Sequence, residues 1–164
     1  MEDVQKPRED FASAFEAAFA RLQVALLEAC RRQGDWPAKT GAGIAAGMEF
    51  AAADPAAAAV LTNEAMAEGA DGHARYERLV TYLSERLAQG REERAEDELL
   101  PVITERAMAG AVLTLIAQRV DQGKASELPA LAPEVIQFVL TPYLGGDEAR
   151  RLAARFPPAA KEQG

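Results

Sequence analysis

Residue types that build sheets are scarce in this chain of 164 residues. The β-branched residues valine, isoleucine and threonine number 19 together, against 36 alanines. Because alanine has the highest intrinsic helix propensity and β-branched side chains suit a pleated sheet, this balance predicts an all-α fold. A β-sandwich or β-barrel is excluded on the same ground.

Cysteine and histidine occur once each, as Cys30 and His73. A single cysteine cannot form an intramolecular disulfide, and one residue of each type cannot supply a zinc site of cysteine and histidine ligands. The sequence also has no Glu-x-x-His pair of the kind that binds metals in helical bundles. We therefore expect no metal and no other cofactor, and a half-buried thiol at Cys30 in a reducing compartment.

Basic residues are outnumbered by acidic ones, 18 to 26, which gives a formal net charge of −8. A nucleic-acid-binding surface must be basic to displace counterions from phosphates, so these residues should not bind DNA by themselves. Apolar runs of about 18 residues, the length of a membrane span, are missing. The N-terminus, MEDVQKPRED, is charged and has no signal-peptide core. These features predict a cytoplasmic protein without membrane contact.

Sequence motifs for catalysis are missing as well. The chain has no Gly-x-Ser-x-Gly nucleophile turn, no Walker phosphate loop and no Gly-x-Gly-x-x-Gly after a strand. His73 has no serine or cysteine nucleophile at a predictable position beside it. The sequence therefore predicts a protein that is not an enzyme.

What the chain does contain is a series of amphipathic segments separated by glycine and proline. Apolar residues at spacings of three and four predict a first helix from about residue 10 to 32. Asp35-Trp36-Pro37 and Asp54-Pro55 have the form of an N-cap followed by a first-turn proline. They predict helices that end near residues 53 and 67, and the charge run 91–98 predicts a solvated loop or a frayed turn. Further helices are predicted over about 71–89, 100–122 and 133–144, with a short one from about 147 to 155.

The helices predicted over 100–122 and 133–144 are apolar on two faces. A helix that is apolar on opposite faces must be covered on both. Dimerisation through a four-helix bundle does this economically, and a central core helix in a monomer is the alternative. The residues predicted at the dimer interface are Val102, Ala109, Gly110, Leu113, Ile116, Ala117, Val120, Ile136, Leu140 and Leu144.

Methionines, aromatics and a few polar groups on the inward faces of the first five helices suit a small-molecule pocket. Ordinary core packing gives the same pattern. Glu64 is distinctive because a carboxylate on a largely apolar helix needs a partner or water if it is buried, surface exposure being the alternative. The residues predicted to bind a ligand are Phe15, Phe19, Leu22, Met48, Leu61, Glu64, Met66, Tyr76, Leu79, Thr104 and Met108.

Three segments carry a family resemblance: KPREDFASAFEAAFARL at 6–22, DWPAKTGAGIAAGMEFAAADPAAAAVLTNEAMAEG at 35–69 and SELPALAPEVIQFVLTPYLGGDEAR at 126–150. Together with the helix order, they resemble the C-terminal, effector-sensing domain of the TetR (tetracycline-repressor) family of bacterial transcription regulators. The resemblance implies an all-α bundle of six to seven helices that forms a homodimer through its last two long helices. It also implies an apolar or amphipathic small-molecule effector that changes the spacing of two DNA-reading heads.

Members of this family carry a helix-turn-helix of roughly fifty residues before this domain. Residues 1–10 here resemble a remnant of the link from that module, residues 11–156 the effector-binding and dimerisation domain, and residues 157–164 a disordered tail. Operator DNA is expected as a partner only through the missing module. An expressed fragment, a late start codon and a naturally headless chain each account for its absence. The alternative function is a stand-alone helical interaction protein that heterodimerises with a regulator and binds no ligand.

Overall fold

The computed structural model describes residues 6–94 and 99–158, with side chains from residue 10 onward. It is 86% helical, and the described residues form seven helices and no strand. The all-α fold of six to seven helices is thus confirmed. Three predicted segments lie partly outside the described residues. The residues concerned are 1–5 of the link, 95–98 of the charge run and 159–164 of the tail.

The seven helices are α1 (Lys6–Arg31), α2 (Trp36–Ala53), α3 (Pro55–Ala67), α4 (Gly69–Ala88), α5 (Thr104–Asp121), α6 (Leu128–Leu144) and α7 (Gly146–Ala153). The middle of α3, Val60–Glu64, has π-helical hydrogen bonds. The start predicted for α6 is wrong by five residues, because Pro129 and not Pro133 is the first-turn proline. A proline in the first turn removes an N–H that has no partner inside the helix anyway, so the helix begins ahead of it.

Two aspartate caps fix the corners around α2. The Asp35 carboxylate accepts a hydrogen bond from the Ala38 N–H at 2.9 Å, and the Asp54 carboxylate accepts one from the Ala57 N–H at 3.0 Å. Arg21 on α1 also donates to Asp54, at 2.8 Å. The Ala57 N–H and then Arg21 lower the pKa of Asp54. The predicted cap and first-turn proline of α2 are confirmed.

Helix α6 is covered on two sides within this chain. One face, with Val135, Val139 and Tyr143, is buried in the cluster that contains Met48 of α2. The other, with Ile136 and Leu140, is buried against α7 and Ala38. The prediction that Ile136 and Leu140 contact a second subunit is wrong, since both are 0% exposed. Periodicity showed that this face must be covered, and the short helix α7 covers it.

Helix α5 also directs predicted interface residues inward. Ala109, Leu113 and Ile116 are buried in this chain's own core. The prediction that they contact a second subunit is therefore also wrong. Val102 is 92% exposed. The remaining predicted interface residues are half-buried: Gly110, Ala117, Val120 and Leu144. The homodimer itself stays a prediction.

Among the described residues, no single helix is long and apolar enough to cross a membrane. Helices α2 and α3 pass that test only when they are taken together, and they meet at a bend of 110°.

Candidate functional site

A cavity of about 430 Å³ lies between helices α1 to α5, and Val139 of α6 also lines it. Exposed side chains such as Leu27 and Lys39 are among its lining residues, so the cavity reaches the surface. Its volume is within the range of about 300–1,000 Å³ that is typical of small-molecule sites. The walls are mainly apolar, with contributions from Leu22, Leu26, Ile44, Met48, Leu61, Leu79 and Leu113.

Two glycines of α2 face this space. A Cβ atom built at Gly43 would lie 3.7 Å from the Cys30 Sγ, and one at Gly47 would lie 3.9 Å from the Leu26 Cδ2, which are ordinary contacts. The backbone is therefore not too close to its neighbours for a side chain here, and the missing side chains leave volume in the cavity. Gly41 differs, because its Cβ would lie 2.6 Å from the ring of Phe156.

The π-helical turn of α3 forms part of the wall through Leu61 and Thr62. The Thr62 hydroxyl donates to the Ala58 carbonyl at 2.7 Å, which satisfies this buried polar group inside α3. The next residue, Asn63, donates through Nδ2 to the Ala117 carbonyl of α5 at 3.1 Å. Single π turns inside α-helices occur frequently at functional sites. This turn joins the cavity wall directly to α5.

The polar part of the lining lies around Cys30, at the end of α1. The Cys30 thiol donates to the Lys39 carbonyl at a distance of 3.4 Å. Burial raises the pKa of Cys30, and the positive charges of Arg86 and Lys39 partly offset that effect. The Arg86 guanidinium carbon lies 4.3 Å from the centre of the Tyr82 ring.

Trp36 forms the wall at the start of α2. Its indole Nε1 donates to the main-chain carbonyl of Arg86 at 3.0 Å, and its ring packs edge-on against Tyr143 at 5.0 Å. The indole also lies directly against Gly90, where any Cβ would overlap the ring. The position of Trp36 is thus determined by groups on α4, α6 and the turn after α4.

An ion pair with a buried carboxylate stands beside the cavity and does not line it. Arg91 donates to both carboxylate oxygens of Glu105 at 2.8 Å and to the carbonyls of Leu100 and Pro101 at 2.9 and 2.8 Å. The Tyr143 hydroxyl donates to Glu105 at 3.0 Å. We call Arg91, Glu105 and Tyr143 the Arg91 network. Its hydrogen bonds link Arg91, which follows α4, to the start of α5 and to α6.

The pKa values in the Arg91 network follow from these contacts. Burial by itself would raise the pKa of Glu105, but hydrogen bonds from Arg91 and Tyr143 lower it below its ordinary value. Burial, and then the contact with Glu105, raises the pKa of Tyr143. The described part of the charge run begins in the 3-10 turn Gln89–Glu93, and the expectation of a solvated loop or frayed turn did not include the ion pair of Arg91 with Glu105.

Four of the predicted ligand residues line the cavity, namely Leu22, Met48, Leu61 and Leu79. Phe15 and Phe19 are buried in the aromatic part of the core, where their rings pack edge-on. Met108 is buried in the cluster around α6. The inward direction of all seven is as periodicity indicated, but only four lie next to empty space.

The remaining four predicted ligand residues lie elsewhere. Glu64 and Met66 are exposed, so surface exposure is the correct alternative for Glu64. Tyr76 is half-buried and packs against the α1 core, and the Thr104 hydroxyl donates to the Pro101 carbonyl at 2.7 Å. None of these four side chains lines the cavity.

Sequence reasoning missed Trp36, Gly43, Gly47 and Arg86 as lining residues. A signal was present for the glycines: two of them, four residues apart in an alanine-rich helix, share a face and lower its intrinsic helix propensity. Arg86 gave no such signal, because an arginine in the last turn of an amphipathic helix is ordinary.

Within residues 6–94 and 99–158, no group of three or more histidine, cysteine, aspartate or glutamate side chains could hold a metal ion. Comparisons of the chain with protein-family models, with curated proteins and with solved structures found no match in any of the three.

Proposed function

We propose that this chain is a small-molecule-sensing and dimerisation module, of the kind that the TetR-like segments imply, and that it acts in the cytoplasm without catalysis. The observation that carries the proposal is the cavity of about 430 Å³, which is lined mainly by apolar side chains from six helices. Protein interiors are normally packed with few voids larger than a water molecule. An open space of this size in a chain of 164 residues is more consistent with a ligand site than with ordinary core packing.

Helix α5 connects the cavity to the surface that we propose for dimerisation. Its Ala109, Leu113 and Ile116 line the cavity. On its other side, Ala111 is exposed, and a Cβ at Gly110 would meet nothing within 4 Å. A ligand that moves α5 would change the surface available to a second subunit. Such a ligand shifts the equilibrium only as far as its affinities for the two shapes differ.

The outer side of α6 supports the same surface. Phe138 is 54% exposed on a helix whose other apolar residues are mostly buried. Large exposed aromatic side chains are typical of subunit interfaces. We therefore assign the dimer contact to the outward residues of α5 and α6, in place of the inward residues that periodicity suggested. We assign no DNA contact to this chain, because its formal net charge is −8.

The ligand-binding proposal is tested with octanol as a neutral apolar probe, by calorimetry and by the emission of Trp36, the single tryptophan and a wall residue. The chain as given and Gly47→Ala should both bind octanol. Gly47→Leu, which fills the cavity, should weaken binding at least tenfold while the circular dichroism stays the same.

Absence of any heat or emission change with the wild-type chain would count against a ligand site. Equal binding by Gly47→Leu would place the probe outside this cavity. The first result would favour the alternative of a helical interaction protein that binds no ligand, and the second would refute this cavity as the ligand site.

The dimer proposal is tested by light scattering on a sizing column at micromolar concentration. We expect a mass of about twice 17.6 kDa for the wild-type chain and a shift toward monomer for Phe138→Glu. Val24→Glu is the matched control, because Val24 is 56% exposed on α1, away from α5 and α6 in sequence. A monomeric wild-type chain, or equal effects of the two variants, would refute the assigned surface.

A further inference from the structure

The charged side chains that line the cavity all carry the same sign. They are Arg31, Lys39 and Arg86, and no carboxylate belongs to the described lining. In the chain as a whole, acidic residues outnumber basic ones 26 to 18. The composition of the lining is therefore opposite to that of the chain. We call these three residues the cationic end.

The three cations converge on Cys30. Arg31 follows Cys30 in the chain, and the Cys30 thiol is hydrogen-bonded to the main chain of Lys39. Arg86 and Lys39 both act electrostatically on the thiol. The cationic end is thus one locality, where the end of α1, the start of α2 and the end of α4 meet.

Arg86 has an unmet hydrogen-bonding requirement. Its Nε is buried and makes no hydrogen bond, and the same holds for the Tyr82 hydroxyl, whose ring lies against the guanidinium. These are the two buried side-chain polar atoms without a partner among the described residues. Most buried donors in native proteins have a partner, so each exception calls for an explanation. One explanation that fits this cavity is that a bound ligand supplies the acceptor.

Helix ends explain part of this arrangement but not all of it. Arg31 and Arg86 stand in the last turns of α1 and α4, where a cation interacts favourably with the helix dipole. That interaction supplies no acceptor for the Arg86 Nε. It also leaves Lys39 unexplained, because Lys39 lies near the N-terminus of α2, where a cation is unfavourable.

We infer that the ligand of this cavity is an amphipathic anion: an aliphatic or aromatic body fills the apolar space, and a carboxylate or similar head accepts hydrogen bonds from Arg86, with Lys39 and Arg31 beside it. This inference rests on the ligand-binding function proposed above. A guanidinium binds a carboxylate through parallel charge-assisted hydrogen bonds, which are stronger than neutral ones. A neutral apolar ligand would fill the cavity and leave Arg86 unsatisfied.

The test compares octanoate, octanol and octyltrimethylammonium on the wild-type chain, by calorimetry and Trp36 emission. Octanoate should bind at least tenfold tighter than octanol, and the cation should bind most weakly. Arg86→Gln should weaken octanoate about tenfold or more and octanol by less than about twofold. The indole contact with residue 86 is to its main chain and is retained in this variant. Arg32→Gln is the control, because it removes an exposed positive charge next to Arg31 that does not line the cavity.

The outcomes separate the two proposals. Equal affinities for octanoate and octanol, or an Arg86→Gln variant that binds octanoate as tightly as the wild type, overturn the anionic ligand and leave the ligand-binding function in place. An Arg32→Gln effect as large as that of Arg86→Gln also overturns it, because the preference would then come from net charge alone. Binding of neither octanoate nor octanol overturns both proposals.

Discussion

Arg86 and Arg91 lie five residues apart and differ in what surrounds their guanidinium groups. Arg91 donates to both oxygens of Glu105 and to two main-chain carbonyls. Arg86 lines a cavity, stacks on Tyr82 and has a buried Nε without an acceptor. The fold therefore supplies one cation with four hydrogen bonds from its own chain and leaves the other available. The comparison distinguishes an arginine that holds the structure together from one that is available to a ligand.

The strongest test of this comparison is to replace each arginine by methionine. Arg91→Met leaves the Glu105 carboxylate, 6% exposed, without its cation, and we expect a loss in the free energy of unfolding that is clearly larger than that caused by Arg86→Met. Arg86→Met removes a charge that has no carboxylate partner among the described residues, and we expect a change below about 1 kcal/mol. Urea denaturation followed by circular dichroism measures both. Equal losses would show that Arg86 has a structural role as large as that of Arg91.

The two regions should also respond oppositely to an added methyl group. Gly90→Ala forces a Cβ into the indole of Trp36 and should lower the free energy of unfolding by about 1–3 kcal/mol. Gly43→Ala adds a Cβ with only an ordinary contact to Cys30 and improves helix propensity, so it should raise stability by up to about 1 kcal/mol. Thermal unfolding of the two variants gives the signs. A destabilised Gly43→Ala would contradict the open space at that position.

The smallest effect is the part of the pH dependence of stability that comes from Glu105 in the Arg91 network. The pKa of Glu105 is lowered in the folded chain from its ordinary value of 4.5. Its contribution is therefore present above pH 4.5 and is lost as the pH falls through the lower, folded-state pKa. Wild-type stability should fall more steeply with acid than that of Glu105→Gln, by at most about 1.4 kcal/mol per pH unit.

Urea denaturation of these two proteins at several pH values between 3 and 7 measures that difference. Asp54 and Glu16, whose pKa values are also lowered, are present in both proteins and cancel in the comparison. If the stability curves of the two proteins are parallel over this pH range, the pKa of Glu105 does not change on folding. Arg86→Gln, which touches no such carboxylate in the described structure, should follow the wild-type curve.

The success of sequence reasoning depended on how local each feature was. The cap at Asp35 was predictable because the carboxylate and the N–H it accepts from are three residues apart. The inward direction of Leu22 and Leu79 was predictable because it follows the helical period alone. Their position beside empty space was not, because it depends on Gly43 and Gly47 of another helix.

The assignment of α6 shows where periodicity reaches its limit. Two apolar faces indicated that Ile136 and Leu140 must be covered, and a partner subunit and another part of the chain satisfy that requirement equally well. Helix α7 covers them, and Phe138 is left exposed instead. The charge run was misjudged at Arg91 for a related reason, since its partner Glu105 lies 14 residues away.

By itself, the sequence determined the all-α class, the helix order and most helix ends, because alanine content, caps and apolar period act between residues within about four positions of each other. Only the tertiary structure decided which apolar faces the chain covers by itself, where six helices leave a cavity, and which arginine finds a carboxylate. Those features depend on side chains brought together from distant segments, and the volume or charge that one segment leaves open is defined by its neighbours in space.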